Sequence, residues 1–316
     1  MNIFYFVMQS TMFFMIPLMI VALGGLFSEK SGIVNIALEG KMIMGAFTGI
    51  AFITTFQDRI PGQPIFAIGL LVATGTGILV SLLHAFASIT LKANQIISGV
   101  AINMFAPAFA IYMSRFYFDT QNIHFINQFR IASVPFFGRI PFFGPMFFQD
   151  AYFSTLLGLI ILAIAAFVIY KTKFGLRLRA CGEHPQAADS VGVNVVGIRY
   201  TGVIISGALA GMGGFIWVVP ISNIFSGAVN GYGFLALAVL IFSGWRPVRI
   251  LYASFFFGLM QTISVSHGVI GFLPEFIPGH FYRMLPFIMT LIVLAFTSKD
   301  TMAPKAVGQP YDKGGR

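Results

Sequence analysis

Long apolar runs, each close to the length of a membrane-spanning helix, dominate this sequence of 316 residues. Nine of them are delimited by hydropathy, at 4–27, 33–57, 64–90, 95–115, 151–170, 200–221, 230–245, 249–267 and 283–298. A helix needs roughly 20 apolar residues to span a bilayer core. Only 9% of the residues are charged, whereas soluble domains carry about 25%. We therefore predict an all-α, polytopic integral membrane protein with about 8–10 transmembrane helices.

Several chemistries are excluded by what the sequence lacks. The single cysteine, Cys181, cannot form an intramolecular disulfide or a multi-cysteine zinc site. No G-x-x-x-x-G-K-[ST] phosphate-binding loop occurs, and neither H-E-x-x-H nor G-x-S-x-G is present. The first apolar run lacks the basic start and the small-residue cleavage site of a signal peptide, so we expect it to remain as a transmembrane helix. We predict no catalytic residue, no metal and no cofactor.

Lysine and arginine residues cluster at the ends of the apolar runs and give a net charge of +9 without a basic domain. This distribution argues against nucleic acid as a partner. Basic residues at the ends of apolar helices instead indicate which side of the membrane each loop occupies. If the runs alternate in direction, fourteen basic residues fall on one side and five on the other. The larger number is expected in the cytoplasm. We therefore predict a transmembrane domain over 1–300, with an external N-terminus, and a cytoplasmic tail over 301–316.

The longest predicted external loop, 116–150, is rich in phenylalanine and tyrosine. Aromatic side chains are typical of the membrane interface, which favours a loop that lies on lipid. A docking surface for a substrate-carrying protein is the alternative.

A polar insert, GIVNIALEGK at 32–41, interrupts the second apolar run. Asn35 and Glu39 are four residues apart and would share one face of a helix. A carboxylate inside a bilayer is costly and usually functional. If Glu39 lies near the interface, it would pair with Lys30 or Lys41. The alternative is a helix break beside a translocation path, because irregular backbone survives at membrane depth only inside protein or along a water-filled cavity.

A second glycine-interrupted run, SGAVNGYGFLALAVLIFSGW at 226–245, is loosely similar to that insert. Interrupted helices at corresponding positions of two halves predict an inverted repeat with a path between them. The glycine-rich stretch 207–214 lies inside an apolar run and lacks the strand–turn–helix context of a dinucleotide site. It predicts a face for close helix packing.

Polar residues also occur where the fourth run begins, in KANQIISGVAINMFAP at 92–107. They are Asn94, Gln95, Ser98 and Asn103. Such side chains either cap the helix and bond neighbouring helices, or line a path, since amides can hydrogen-bond a base or a sugar. Gln261 and His267, in the eighth run, admit the same two interpretations.

The longest predicted cytoplasmic segment is the loop 173–199, which contains EHPQAADSVG. Pro185 suits the first position of a helix and Gly192 suits its end, so the spacing predicts an independent helix of about two turns. Its small apolar face would fit a groove on another protein. An ordinary loop lying on the lipid headgroups is the alternative.

Four stretches resemble a known family: GGLFSEKSGIVNIALEGKMIMGAFTG, ANQIISGVAINMFA, GLRLRACGEHPQAADSVGV and GYGFLALAVLIFSGWRP. They are similar to the membrane permeases of ABC importers in the branched-chain amino acid, ribose and nucleoside group, and most similar to the nucleoside (guanosine-type) branch. The resemblance implies a bacterial plasma-membrane protein driven by a separate cytoplasmic ATPase. It also implies a second, related permease as partner and an extracellular substrate-binding lipoprotein.

The resemblance assigns roles to residues as well. The family's ATPase-coupling motif is matched by Glu183, His184, Pro185, Ala187, Ala188, Asp189 and Gly192. Asn35 and Glu39 fall in the broken second helix that such permeases place beside the substrate path. We extend the expected path to Asn94, Gln95, Ser98 and Asn103. Ribose, other sugars and branched-chain amino acids stay open as substrates. An ion-coupled secondary transporter, with Glu39 or His267 as its ionisable site, is the alternative of another class.

Overall fold

The computed structural model describes residues 3–126, 129–134, 138, 140–141, 144–268, 279–297 and 303–313. The described helices are α1 (Ile3–Lys30), α2 (Leu38–Phe56), α3 (Gln63–Ala85), α4 (Gln95–Phe118), α5 (Phe153–Lys171), α6 (Lys173–Glu183), α7 (Pro185–Ser190), α8 (Val195–Ile221), α9 (Tyr232–Phe242), α10 (Pro247–Ser266) and α11 (Gly279–Thr297). The described strands are β1 (Ile123–His124), β2 (Arg130–Ser133), β3 (Gln149–Tyr152) and β4 (Ile224–Phe225). Five-residue π-helical turns occur at Phe86–Thr90, which continues α3, and at Gly144–Phe148.

Each of the nine predicted apolar segments coincides with a described helix, in the order α1 to α5 and then α8 to α11. Among the described residues, six helices are long and apolar enough to cross a membrane, namely α1, α3 with its π-helical turn, α4, α5, α8 and α10. The polytopic, helical fold is therefore confirmed. Its departures from the all-α prediction are two short antiparallel ladders, β1 with β4 and β2 with β3, which tie down parts of the aromatic loop 116–150.

The connector 173–199 contains two helices where the sequence predicted one. α7 begins at Pro185, as predicted, and ends at Ser190, two residues before Gly192. α6 was missed because its basic residues resemble a loop on headgroups. It forms because Thr172 caps it, with the hydroxyl accepting from Gly175 N at 3.1 Å, and because Leu178 and Cys181 are buried.

Two long antiparallel helices, α1 and α8, form the centre of the molecule. Gly24 of α1 lies against Ser206 of α8, and Phe27 lies nearer the start of α8, against Gly202. Every residue of α1 from Thr11 to Glu29 except Phe13 is buried. The remaining helices therefore pack around a core that is itself shielded from lipid.

The glycine-rich stretch of α8 is a close-packing face, as predicted. Gly207 meets the backbone of Gly77 in α3, and Gly211 meets the backbone of Gly45 in α2. A Cβ atom at Gly214 would overlap the carbonyl of Met42. Side chains at these positions would push α2 and α3 away from α8.

The order and packing of α1–α2–α3 resemble those of α8–α9–α10. In each set a long helix is followed by a break and a shorter helix. α3 packs along α8, and α10 packs along α1, where Gly258 meets Met15 and the hydroxyls of Thr11 and Thr262 are 3.3 Å apart. Because α1 and α8 are antiparallel, this arrangement is the one that an inverted repeat predicts.

The predicted membrane sidedness stays a prediction. Arg139, Lys299 and Arg316, which contribute to the charge count, lie outside the described residues.

Candidate functional site

The first helix break, residues 31–37 between α1 and α2, is held by side chains from its neighbours. Gln95 Oε1 accepts from Val34 N at 2.7 Å, and His84 Nε2 lies 3.1 Å from Val34 O. Asn103 bridges the break and α2, because its amide donates to Ile36 O at 2.9 Å and accepts from Gly40 N at 2.8 Å. These bonds replace those that the backbone loses by leaving the helix.

Three buried side chains join this break to α8. Lys41 Nζ donates to Asn35 Oδ1 at 2.8 Å, and Asn35 Nδ2 donates to Ser206 Oγ at 2.5 Å. All three residues have no exposed surface. Asn35 precedes α2, so it does not share a helical face with Glu39, and Lys41 bonds Asn35 rather than Glu39. The predicted pairing of Glu39 with Lys30 or Lys41 was therefore wrong, since the tertiary partner of Glu39 lies in α9.

Glu39 holds the N-terminus of α9, the helix that follows the second break. Its Oε1 accepts from Gly231 N at 2.8 Å and its Oε2 from Gly233 N at 2.6 Å. The first amides of a helix lack internal partners and carry partial positive charge, so a carboxylate satisfies both needs. Beyond the other end of α9, the Trp245 indole donates to Glu29 Oε2 at 2.5 Å. Glutamates of the first half thus hold α9 at both ends.

The second break, residues 222–231, borders a cavity of ≈ 390 Å³ between α1, α8, α9, α10 and α11. Trp217 and Tyr232 stack in its wall, with ring centroids 3.5 Å apart and planes at 22°. Gln261 and His267 also line it, and the His267 ring stacks on Tyr282 at 4.9 Å. The Tyr232 hydroxyl is buried without a hydrogen-bond partner among the described residues.

The structure separates the predicted path residues into two groups. Asn94 is the N-cap of α4, accepting from Ile96 N at 2.9 Å and Ile97 N at 3.2 Å. The others hold the two helix breaks: Asn35, Gln95, Asn103 and Ser98 act at the first, with the Ser98 hydroxyl 3.0 Å from His84 Nδ1, and Glu39 acts at the second. These bonds do not test whether the residues line a path, which stays a prediction.

The predicted coupling motif divides into a buried side and an exposed side of α7. Pro185 and Ala188 are buried, whereas His184, Ala187 and Gly192 are exposed. Glu183 and Asp189 are partly exposed. Gly192 has φ +84°, the left-handed conformation that glycine adopts after a helix.

Residues 303–313, here called the C-terminal strap, pack against this region rather than extending as a free tail. Ala306 N donates to Gly182 O at 2.8 Å, beside α7. Gly308 N donates to Gly32 O at 3.1 Å, in the turn that opens the first break. Arg199 Nη1 donates to Gln309 O at 3.0 Å. The strap therefore connects α6 and the start of α8 with the first break.

The strap also covers the inner side of α7. Tyr311 clusters with Cys181, Ala188 and Val195, and its ring lies 5.8 Å from the Arg199 guanidinium carbon. Burial raises the pKa of the Cys181 thiol, against the opposing effect of Arg199, so this thiol is a packing group.

Sequence reasoning missed the site roles of Lys41, His84, Arg199, Trp217 and Tyr232. Lys41 and His84 carried a signal, because an ionisable residue inside an apolar helix is usually functional, whereas Arg199 falls in the predicted cytoplasmic loop. The two aromatic residues carried none, since 16% of the chain is aromatic.

Comparisons with known proteins agree with this architecture. Residues 7–294 match the family described as "Branched-chain amino acid transport system / permease component". The guanosine ABC transporter permease protein NupQ of Bacillus subtilis is 40% identical, over 98% of this chain and 97% of its own. The nucleoside ABC transporter permease protein NupC of Lactococcus lactis is 37% identical, over 99% and 98%. A solved inward-facing structure of a putative metal-chelate type ABC transporter shares the fold, with a TM-score of 0.53 and 16% identity over 91% of this chain and 85% of that one.

Proposed function

The chain belongs to the permease family of the branched-chain amino acid transport system, and we propose that it forms the membrane path of an ATP-driven ABC importer for nucleosides. The observation that carries the substrate class is the likeness to guanosine and nucleoside permeases over nearly the whole of both chains. The proposal places the protein in the plasma membrane of a bacterium. The excess of basic residues on one predicted side supports a cytoplasmic C-terminus.

ATP is hydrolysed by a partner subunit in this proposal, because the sequence has no phosphate-binding loop. The exposed side of α7 supports a docking role. Ala187 and Val191 form a small apolar surface there, with Val191 78% exposed. A short helix of this kind, fixed on its inner side by Ala188, fits a groove on another protein. His184, Glu183 and Asp189 surround this surface with polar groups.

A second, related permease and an extracellular substrate-binding lipoprotein complete the proposed importer. The outer face of α4 supports the first, because Ile97, Met104 and Tyr112 are each about two-thirds exposed, at 68%, 72% and 63%. An apolar face of this size suits a neighbouring membrane helix or lipid. The aromatic loop 116–150, at the opposite end from α7, is the proposed surface for the lipoprotein.

Force would reach the membrane segments through contacts already described. ATP-driven closure of the ATPase moves α7, and Ala188 and Gly182 connect α7 and α6 to the strap. The strap bonds Gly32 at the first break, and Glu39 beyond that break holds α9. Asn35, Gln95, Ser98 and Asn103 keep the broken backbone in place beside the path. A shift of α7 can thereby favour one arrangement of both breaks over another.

The test uses the complete importer, with both permeases, ATPase and lipoprotein, in proteoliposomes. Ala187→Arg should abolish co-purification of the ATPase, since it places a charge in the docking surface. Tyr311→Ala should retain the ATPase but lower uptake per ATP hydrolysed, because it opens the contact between strap and α7. Asp58→Arg, an exposed change at the opposite end of α2 from the first break, is the control. Normal ATPase recovery with Ala187→Arg would refute docking through α7.

The substrate class is tested by competition among labelled guanosine, ribose and leucine in the same vesicles. We expect guanosine uptake that requires ATP and resists collapse of the proton and sodium gradients. Uptake of ribose or leucine in preference would replace the nucleoside assignment. Gradient-driven uptake by the isolated chain would instead establish a secondary transporter.

A further inference from the structure

We propose that the cavity beside the second helix break binds the base of the translocated nucleoside against its aromatic wall, with Gln261 as the hydrogen-bonding residue. This inference rests on the proposed function and names the site at which the substrate class is recognised. Gln261 and His267, for which the sequence left a path-lining role open, line this cavity, whereas Asn35, Glu39, Asn94, Gln95, Ser98 and Asn103 are not among its described lining residues.

The size and the walls of the cavity fit a small planar ligand. Its ≈ 390 Å³ falls within the range of about 300–1,000 Å³ that is usual for small-molecule sites. Phe14 lies 5.8 Å from the Trp217 ring, which itself stacks on Tyr232, so three aromatic side chains form a continuous wall. Aromatic side chains bind bases through their faces, irrespective of which base is offered.

Unused hydrogen-bonding groups face the same space. The Gln261 and Asn230 side chains line the cavity, and neither amide is hydrogen-bonded within the described part of the chain. An amide offers a donor and an acceptor together, which matches the paired donors and acceptors along the edge of a base.

The charge of the described lining favours a neutral ligand over an amino acid. The described residues that line the cavity include no aspartate, glutamate, lysine or arginine. The Gly231 amide, at the α9 N-terminus, is already bonded to Glu39. A leucine zwitterion would bring an ammonium and a carboxylate without partners there, which is unfavourable in a low-dielectric site.

The position of the cavity also connects binding with transport. Gly231 and Tyr232 belong to its wall and to the start of α9, which Glu39 holds. A base in the cavity would therefore contact the element that joins the two broken segments. A ligand can shift a conformational equilibrium only through such differential contacts.

The experiment compares Gln261→Leu with Gln63→Leu in the reconstituted importer. Gln63 donates its amide to Phe129 O at 2.9 Å and lies outside the cavity. We expect Gln261→Leu to raise the KM for guanosine about tenfold, the effect of losing one hydrogen bond. Gln63→Leu should leave the KM within about twofold of the unmodified importer.

A second readout locates the ligand directly. Photolysis with 8-azidoguanosine should label the peptides that contain Trp217 and Tyr232, and excess guanosine should prevent the labelling. An unchanged KM in Gln261→Leu, or guanosine-sensitive labelling confined to other peptides, would overturn the cavity assignment while guanosine uptake by the unmodified importer still supports the proposed function. If the unmodified importer takes up no nucleoside, the proposed function fails first.

Discussion

The two helix breaks start from nearly the same sequence and reach opposite environments. Residues 32–35 read GIVN and residues 227–230 read GAVN. Both glycines have positive φ, +96° at Gly32 and +80° at Gly227, so both turns need a residue without a side chain. Yet Asn35 is fully buried and bonded on both sides of its amide, whereas Asn230 is exposed.

The neighbours of each break explain the difference. The first break lies under α3 and α4, which supply His84, Gln95 and Asn103. The second faces a cavity, where Gln261 and Asn230 have no such bonds among the described residues. We therefore call the first break the fastened break, because neighbouring side chains hydrogen-bond it. We call the second the open break, because polar side chains beside it have no hydrogen-bond partner among the described residues. Glu39 lies in α2, directly after the first break, and bonds the backbone at the second break. We therefore expect substitutions of Glu39 to have the largest effect on stability and uptake.

Removal of the Glu39 carboxylate should break the connection between α2 and the start of α9. Glu39→Ala leaves the partly buried amide of Gly231 and the buried amide of Gly233 without partners, and a buried unpaired amide costs about 1–3 kcal/mol. Since folded proteins are stable by only about 5–15 kcal/mol, we expect a large fall in the SDS concentration that unfolds the protein in mixed micelles. Guanosine uptake should be lost.

Glu39→Gln should have a smaller effect than Glu39→Ala, because the single carbonyl oxygen of glutamine can retain one of the two hydrogen bonds. Its stability should lie between that of the unmodified protein and that of Glu39→Ala. Asp58→Ala removes an exposed carboxylate and is the control. Equal stability of Glu39→Ala and the control would show that α9 does not depend on α2.

The next largest effect concerns the fastened break alone. Asn35→Leu leaves the Lys41 amino group buried without its partner, so we expect a loss of roughly 3 kcal/mol in the free energy of unfolding. Lys41→Met removes the group that needs the partner. The double variant should therefore be more stable than the sum of the single effects predicts, by about 0.5–3 kcal/mol. Strict additivity in this double-mutant cycle would show that the two side chains do not interact.

The comparison also shows where sequence reasoning succeeds and where it stops. The apolar runs predicted every helix from α1 to α5 and from α8 to α11. A long apolar segment in lipid can satisfy its backbone hydrogen bonds internally only as a helix. Pro185 and Gly192 predicted α7 because their backbone preferences are local. The partner of Glu39 could not be predicted, since Gly231 is 192 residues away and a backbone amide has no sequence signature. The strap and the cavity depend in the same way on tertiary neighbours.

The smallest effect is expected at the open break. Asn230 is exposed, has φ +53° and makes no hydrogen bond to the described residues, so Asn230→Gly removes no bond and suits the left-handed backbone. The free energy of unfolding should stay within about 0.5 kcal/mol of the unmodified value. Asn35→Gly is the matched change at the fastened break and should be far more destabilising, because it empties a buried site and frees Lys41. If the two glycine variants lose equal stability in the same SDS titration, the two breaks do not differ in the way that their hydrogen bonds indicate. The open break would then have no unbonded polar groups available to a substrate.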